Sequence, residues 1–116
     1  MSEEELKVLM ARKKVLSYVG IATKSGKIAS GEFLTEKSVK DGSACLVIVA
    51  DDASDNTKKM FTNMCNFYEV PLCFFENKDS LGHSMGKEFR ASLAFLDEGL
   101  AQAACKQLKL AKMEVL

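Results

Sequence analysis

The sequence predicts an α/β fold, a three-layer α/β/α sandwich with a small mixed four-stranded sheet. Segments with helical spacing of apolar residues alternate with short β-type segments in the order α-β-α-β-α-β-α-β-α, and the linkers are short. Residues 44–50 form an uninterrupted apolar run, which is typical of a strand covered on both faces. Because the 116 residues contain no repeat, linker or low-complexity tract, we expect a single domain over residues 1–116.

The first part of the chain predicts a long helix, a very short strand and a second helix. Apolar residues recur at helical spacing across residues 4–23, although the pattern allows a break near Lys13. Gly26 suits the position just after a helix C-terminus and is expected to end the first helix. The short strand follows at 28–29, and the second helix starts at 30–32 and stops at 41–42.

The rest of the chain alternates buried strands with helices that begin at polar residues. After the strand at 44–50, residues 51–54 are expected to cap the third helix. Its buried side is predicted to carry Met60, Phe61, Met64, Cys65 and Phe67 or Tyr68. The remaining elements are a strand at 72–75, a short helix from Asn77 that ends by Gly86, a strand at 91–96 and a final helix from Asp97.

Composition leaves the partner open but argues against several classes of protein. Sixteen basic residues balance sixteen acidic ones, so the placement of charge decides whether nucleic acid binds. No apolar run reaches the roughly 18 residues that span a bilayer, and residues 1–7 lack the apolar stretch of a secretory signal. Four cysteines in apolar surroundings and one histidine, His83, predict reduced buried thiols and no zinc site. We therefore expect a cytoplasmic monomer without metal, cofactor or membrane partner.

Two glycine-rich segments suggest nucleotide binding, but neither has the full motif. Gly26 and Gly31 have the first spacing of a phosphate-binding P-loop, yet Glu32 and Phe33 stand where Lys and Ser or Thr are required. Residues 82–87 contain a suitable lysine at the wrong spacing, and no strand leads into them. Neither segment is therefore interpreted as a nucleotide site.

Three aspartates follow the buried strand at 44–50, where many α/β enzymes place catalytic carboxylates. Asp51, Asp52 and Asp55 are nevertheless better explained as helix-capping residues, because Asp before a helix satisfies free N–H groups and suits the helix dipole. No nucleophile motif or second cluster of catalytic side chains accompanies them. An enzyme is therefore the least favoured hypothesis.

Basic residues fall into two groups near predicted helix ends. They are Lys24, Lys27 and Lys37 around the start of the second helix, and Lys78, Lys87 and Arg90 beside the fourth. A helix N-terminus beside lysines favours phosphate, and Ser30 and Gly31 permit close approach of the backbone. Glu32 and Glu36 oppose this, and scattered solvated lysines explain the same charges. Phe89, next to Arg90, either stacks on a base or belongs to the core.

Several motifs occur in an order that is specific to one family. They are residues 20–27, 30–32, 46–57, 65–71 and 81–87, and together they cover about residues 12–104. The set resembles the ribosomal L7Ae/L30e superfamily of kink-turn RNA-binding proteins, most closely its bacterial YlxQ-like members. This resemblance implies the α/β/α sandwich and a non-enzymatic protein that binds structured RNA, either ribosomal or kink-turn-containing, in a ribosome- or translation-related role.

The resemblance also implies an RNA face made of the N-terminus of the second helix and the loop after the fourth. In the family that helix begins with Gly, then Asn-Glu, which contacts sheared G·A pairs, then Lys. Gly31 and Lys37 match the Gly and the Lys. Lys78 matches a lysine used near a flipped-out nucleotide, and residues 87–92 match the apolar and basic recognition loop.

This chain departs from the family at the Asn-Glu pair, where it has Phe33 and Leu34. Neither side chain forms hydrogen bonds with a G·A edge, and neighbouring Glu32 is at most a partial substitute. Phosphate and shape contacts remain available, and they predict weaker RNA binding with a stronger salt dependence. The departure also favours a second hypothesis, a protein–protein interaction adaptor on the same fold.

Overall fold

The computed structural model describes all 116 residues and contains five helices and four strands. In chain order these are α1 (Glu3–Lys24), β1 (Ile28–Ser30), α2 (Glu32–Lys40), β2 (Leu46–Val49), α3 (Asp55–Tyr68), β3 (Leu72–Phe74), α4 (Lys78–Ser84), β4 (Ser92–Phe95) and α5 (Glu98–Leu110). The predicted order of elements is confirmed. Strands β2, β3 and β4 are shorter than predicted, and α1 is a continuous helix of 22 residues without a break near Lys13.

The four strands form one mixed sheet in the order β1-β4-β2-β3. Strands β2 and β3 are parallel, whereas β4 runs antiparallel to both β1 and β2. The register places Ser30 beside Leu93, and Val49 beside both Ser92 and Phe74. One end of the sheet therefore combines the carboxyl ends of β1, β2 and β3 with the amino end of β4.

The sheet is covered on both faces, as the apolar run at 44–50 predicts. Leu46 and Ile48 pack in a core with side chains of α1, α4 and α5, while Val47 and Val49 pack in a second core with α2 and α3. All four side chains are fully buried. Their alternation follows from the two-residue repeat of a strand, and it produces the three-layer α/β/α sandwich.

Four of the five helices begin with a polar side chain that accepts a backbone N–H of the first turn. These N-cap residues are Ser2, Ser54, Asn77 and Asp97. Residues 51–54 are predicted to cap α3, and within this segment the N-cap is Ser54. Its Oγ accepts the Thr57 N–H at 3.1 Å. Helix α2 differs, since its N-cap is Gly31 and no side chain caps it.

The predicted buried side of α3 is only partly correct. Phe61 and Cys65 are buried, and Met60 and Met64 are half-buried, but Phe67 is 77% exposed and Tyr68 is 42% exposed. A helix of 14 residues is about 21 Å long, whereas a strand of three or four residues covers only about 10–13 Å. Helix α3 is therefore longer than the strands on which it packs, and the aromatic side chains of its last turn remain exposed.

The cysteines are free thiols, as predicted, but they differ in burial. Burial raises the pKa of Cys65 to about 11 and that of Cys73 to about 12. Cys45 and Cys105 are half-buried, and desolvation raises the pKa of each thiol. No helix is both long enough and apolar enough to cross a membrane.

Candidate nucleic-acid interface

Three chain segments meet at the end of the sheet that holds the carboxyl ends of β1, β2 and β3. The N-terminus of α2 follows β1 directly, the N-terminus of α4 follows β3, and the α4–β4 loop leads into β4. In open α/β sheets, ligands generally bind outside the carboxyl ends of the strands. This end of the sheet is therefore the candidate interface.

The N-terminus of α2 has free hydrogen-bond donors. The first N–H groups of any helix lack partners inside the helix, and Gly31, unlike the other four N-caps, brings no side-chain acceptor to them. Gly31 has φ 87°, a conformation that side-chain-bearing residues rarely adopt, and a Cβ there would meet nothing within 4 Å. The segment is thus open in front of the helix, where the dipole and the N–H groups favour an anion.

Arg90 connects the α4–β4 loop to the start of α2. Its Nε–H donates to Ser30 Oγ at 3.2 Å, and a second guanidinium N–H donates to the Phe89 carbonyl oxygen at 2.7 Å. The Gly31 N–H donates to the Ser92 carbonyl oxygen at 3.0 Å. Much of the Arg90 side chain is therefore engaged inside the protein, and its charge lies at the junction of the two segments.

The N-terminus of α4 is bound from two sides through the Lys78 main chain. The Lys78 N–H donates to Asp52 Oδ1 at 2.9 Å, and the Lys78 carbonyl oxygen accepts the Arg90 N–H at 3.0 Å. Sequence reasoning assigned Asp52 to the third helix and missed this contact. The two partners are 26 residues apart in the chain, so no local pattern predicts it.

Four cations in or near the candidate interface form no ion pair within the protein. The four ion pairs of the structure are Lys7–Glu3, Arg12–Glu76, Lys40–Glu36 and Lys112–Glu4. None of them includes Lys37, Lys78, Lys87 or Arg90. The three lysine side chains therefore remain available for an anionic partner, whereas the Arg90 guanidinium already donates to Ser30 and Phe89.

Two open concavities at the surface each contain an exposed phenylalanine and a lysine. One, of about 440 Å³, is lined by Phe33 and Lys37 together with Glu36, Lys40 and Asp41. The other, of about 630 Å³, is lined by Phe89 and Lys87 together with Asp79, Ser80, His83 and Glu88. Phe33 is 74% exposed and Phe89 is 60% exposed, so Phe89 is not a core residue. An exposed ring beside a cation suits base stacking next to a phosphate.

The α4–β4 loop is held closely against α4. A Cβ added at Gly82 would lie 2.7 Å from the Glu88 carbonyl oxygen and 2.8 Å from Phe89 Cα. The Gly82 carbonyl oxygen also accepts the Lys87 N–H at 2.8 Å. Gly82 therefore permits an approach that fixes the loop, a role that sequence reasoning did not assign to it.

The structure separates some of the residues that the sequence grouped together. Lys24 and Lys27 precede β1, and the Lys27 carbonyl oxygen accepts the Leu96 N–H at the far end of the strand. Lys27 thus lies roughly 13 Å along β1 from Gly31, because the three residues of β1 lie between them and each of the four steps of extended chain covers about 3.3 Å. The expectation that these two lysines flank the start of α2 is wrong. Lys37 lies in the last turn of α2, not the first, and it shares a face with Phe33.

The acidic residues do not form a metal centre. No group of three or more histidine, cysteine, aspartate or glutamate side chains is arranged to hold a metal ion. Asp51, Asp52 and Glu76 line a concavity of about 360 Å³ with Arg12 and Asn77, and Arg12 forms an ion pair with Glu76 there. A concavity of about 620 Å³ at the amino ends of β2 and β3 contains none of the predicted site residues.

Comparisons with curated proteins find relatives along most of the chain. The RNA-binding protein YlxQ of Bacillus subtilis (strain 168) is 42% identical over 83 residues, which are 72% of this chain and 83% of that protein. The RNA-binding protein YlxQ of Enterococcus faecium is 34% identical over 91 residues, which are 78% of this chain and 87% of that protein.

Solved structures and a family model agree with these relatives. A protein of unknown function from Bacillus halodurans C is 31% identical and has a TM-score of 0.78 over 85% of this chain and 97% of its own. The Giardia lamblia 15.5kD RNA binding protein, 22% identical, has the same fold with a TM-score of 0.71 over 97% of this chain and 90% of its own. The model of the ribosomal protein L7Ae/L30e/S12e/Gadd45 family matches residues 13–105. This chain therefore belongs to the ribosomal protein L7Ae/L30e/S12e/Gadd45 family.

Proposed function

We propose that this chain binds structured RNA of the kink-turn type, through the α2 N-terminus, the α4 N-terminus and the α4–β4 loop, in a ribosome- or translation-related role. The observation that carries the proposal is the meeting of three segments, distant in sequence, whose cations form no ion pair within the protein. Both YlxQ relatives are named RNA-binding proteins, which supports the proposal.

In the proposed interface, backbone groups and side chains make different contacts with the RNA. The free N–H groups of the first turn of α2, from Glu32 onward, bind phosphate where the helix dipole favours negative charge. Lys37, Lys78 and Lys87 add contacts with the phosphate backbone, which position an RNA without reading its sequence. The exposed rings of Phe33 and Phe89, at the two concavities, stack on unpaired bases next to the bend of the RNA.

Phe33 and Leu34 alter the kind of recognition that we expect. Both side chains are exposed, at 74% and 50%, and neither offers a donor or acceptor to a G·A edge. Shape and phosphate contacts therefore supply most of the affinity. Binding of this type falls steeply with salt, with a slope set by the number of phosphates that the protein contacts.

The test is a titration of a fluorescent kink-turn RNA, beside a variant RNA in which the G·A pairs are disrupted, across a salt series. Tighter binding to the intact motif would establish specific kink-turn recognition. Equal and steeply salt-dependent binding to both RNAs would indicate a generic phosphate-binding face. Absence of binding at low salt would refute the proposal.

Charge reversal tests the assignment of the residues. Lys37→Glu and Lys78→Glu should each weaken RNA binding by about tenfold, because each removes a phosphate contact and adds a repulsive charge. Lys106→Glu is the matched control, since Lys106 is exposed on α5 at the amino ends of the strands. Equal effects of all three substitutions would mean that only net charge matters and that the site is misassigned.

One observation favours a second candidate function, an interaction adaptor for another protein. Phe33, Leu34 and Phe67 expose large apolar surfaces on α2 and α3, and exposed aromatic side chains are enriched in protein interfaces. Phe67 and Tyr68 pack edge to face with ring centroids 4.9 Å apart. A saturable protein partner that survives nuclease treatment and is lost in Phe67→Ser would support the adaptor.

A further inference from the structure

Asp52 has a negative charge at the end of the sheet where the proposed function places a polyanion. It is exposed, and its carboxylate forms no ion pair with any lysine or arginine. Its one hydrogen bond is to the backbone N–H of Lys78, at 2.9 Å. A carboxylate here repels phosphate, so its effect on RNA binding through charge alone is unfavourable.

Asp52 accepts a hydrogen bond from the Lys78 N–H, a donor that has no acceptor within α4. Lys78 is the first residue of α4, and the N-cap Asn77 accepts the N–H of Ser80 at 2.8 Å but not that of Lys78. Asp52 reaches across from the β2–α3 loop to accept it. Hydrogen bonds to an ionised acceptor are stronger than neutral ones, so this bond ties the two loops together.

Lys78 also connects α4 to the rest of the interface. The Lys78 carbonyl oxygen accepts the Arg90 N–H at 3.0 Å, and Arg90 Nε–H donates to Ser30 Oγ at 3.2 Å. Ser30 directly precedes Gly31, the N-cap of α2. One chain of hydrogen bonds thus joins the β2–α3 loop, α4, the α4–β4 loop and the start of α2.

We infer that Asp52 is a positioning residue of the RNA interface, which fixes α4 and, through Arg90, the start of α2 without contacting RNA. The inference rests on the proposed function for its effect on binding. Arg90 belongs to the same series of hydrogen bonds, because its backbone N–H donates to Lys78 and its guanidinium donates to Ser30. Positioning and charge repulsion by Asp52 have opposite effects on affinity, and this separates them experimentally.

The decisive comparison is among Asp52→Ala, Asp52→Asn and Asp51→Ala, with affinity for the structured RNA measured across the salt series. Asp52→Ala removes both the charge and the acceptor, and we expect its affinity to be about fivefold below that of Asp52→Asn, the effect of one hydrogen bond. Asp52→Asn keeps an acceptor and loses the charge, so it should bind as tightly as the wild type or more tightly. Asp51→Ala, the neighbouring carboxylate without a side-chain hydrogen bond, should do the same.

The salt dependence separates positioning from direct contact. The slope of log affinity against log salt should stay unchanged in Asp52→Ala, because no phosphate contact is lost, whereas a lost lysine contact lowers it by about one. Stoichiometric titration gives the binding-competent fraction and removes any contribution from unfolded protein. If Asp52→Ala binds as tightly as Asp52→Asn, charge alone acts at this position and the inference is overturned.

A second measurement tests the hydrogen-bond chain without RNA. Amide hydrogen exchange should become faster at Lys78 and Arg90 in Asp52→Ala but not in Asp52→Asn or Asp51→Ala. Unchanged exchange at Arg90 would show that the constraint does not pass beyond α4, and would overturn the inference. If the wild type binds no structured RNA, the proposed function fails, whereas the exchange result still decides whether Asp52 positions this end of the sheet.

Discussion

The close packing of the α4–β4 loop on Gly82 makes Gly82→Ala a sharp test of how rigidly the candidate interface is built. A Cβ at this position would lie 2.7 Å from the Glu88 carbonyl oxygen and 2.8 Å from its carbonyl carbon. These are backbone atoms, so no side-chain rotation relieves the clash. To reach an ordinary contact of 3.4 Å, the loop must move by about 0.7 Å.

Two opposing effects set the expected change in stability. Replacing Gly by Ala inside a helix gains about 1 kcal/mol of helix propensity. Overpacking of a buried contact costs about 1–3 kcal/mol, and the movement also strains the bond from the Lys87 N–H to the Gly82 carbonyl oxygen. We expect the free energy of unfolding to fall by about 1 kcal/mol, which lowers the Tm by about 4 °C at this chain length.

The assay is urea and thermal unfolding followed by circular dichroism, with Gly99→Ala as the control. Gly99 lies in α5, and a Cβ there would meet only a side-chain oxygen of Asp97 at 3.4 Å. Gly99→Ala should therefore leave stability unchanged or raise it. If Gly82→Ala is as stable as Gly99→Ala, the loop yields to the methyl group without penalty and the claim that it is rigidly held is refuted. Weaker RNA binding by a folded Gly82→Ala protein would connect the loop to the interface.

Three further outcomes are expected. Ser54→Ala should lower the free energy of unfolding by about 1 kcal/mol in urea titrations, because the Thr57 N–H loses its cap. Lys87→Gln should weaken RNA binding in fluorescence anisotropy and lower the salt slope by about one, since one phosphate contact is lost. Stability should fall as pH rises above about 9, because the unfolded chain releases thiol protons at its ordinary pKa of 9.0 while folded Cys65 and Cys73 hold theirs to about 11 and 12.

Each outcome has a result that would contradict it. Ser54→Thr keeps the hydroxyl and should restore most of the stability, so equal losses in Ser54→Ala and Ser54→Thr would exclude capping as the cause. An unchanged salt slope in Lys87→Gln would place Lys87 outside the phosphate contacts. For the thiols, alkylation of the native protein at pH 9 followed by mass spectrometry should label Cys45 before the two buried cysteines. Equally fast labelling of Cys73 would show that it is not protected by burial.

Much of the fold follows from patterns that are local in the sequence. The run of Leu46, Val47, Ile48 and Val49 predicts a doubly covered strand, because only a strand between two layers buries consecutive side chains. The helix start at Asn77 is likewise a local signal, since Asn before a helix satisfies a free N–H group. Such signals depend on a few neighbouring residues and survive in any tertiary context.

The predictions from sequence fail where tertiary geometry decides the position of a side chain. Phe67 and Tyr68 extend the apolar pattern of α3, but the pattern does not indicate where the sheet beneath the helix ends. Lys27 and Gly31 are close in sequence, yet the strand between them directs them to opposite ends of β1. The hydrogen bond of Asp52 needs a partner 26 residues away, which only the parallel arrangement of β2 and β3 brings close.

The position of β4 in the sheet order β1-β4-β2-β3 has a consequence for folding during synthesis. Strand β1 pairs only with β4, whose residues 92–95 are translated more than 60 residues later. Until β4 is available, β1 lacks a partner, Ser92 and Arg90 cannot bond to the start of α2, and the sheet stays in two parts. Because long-range pairing of this kind is slow and late, a nascent chain that ends before β4 lacks part of the candidate interface, which is completed only as folding finishes.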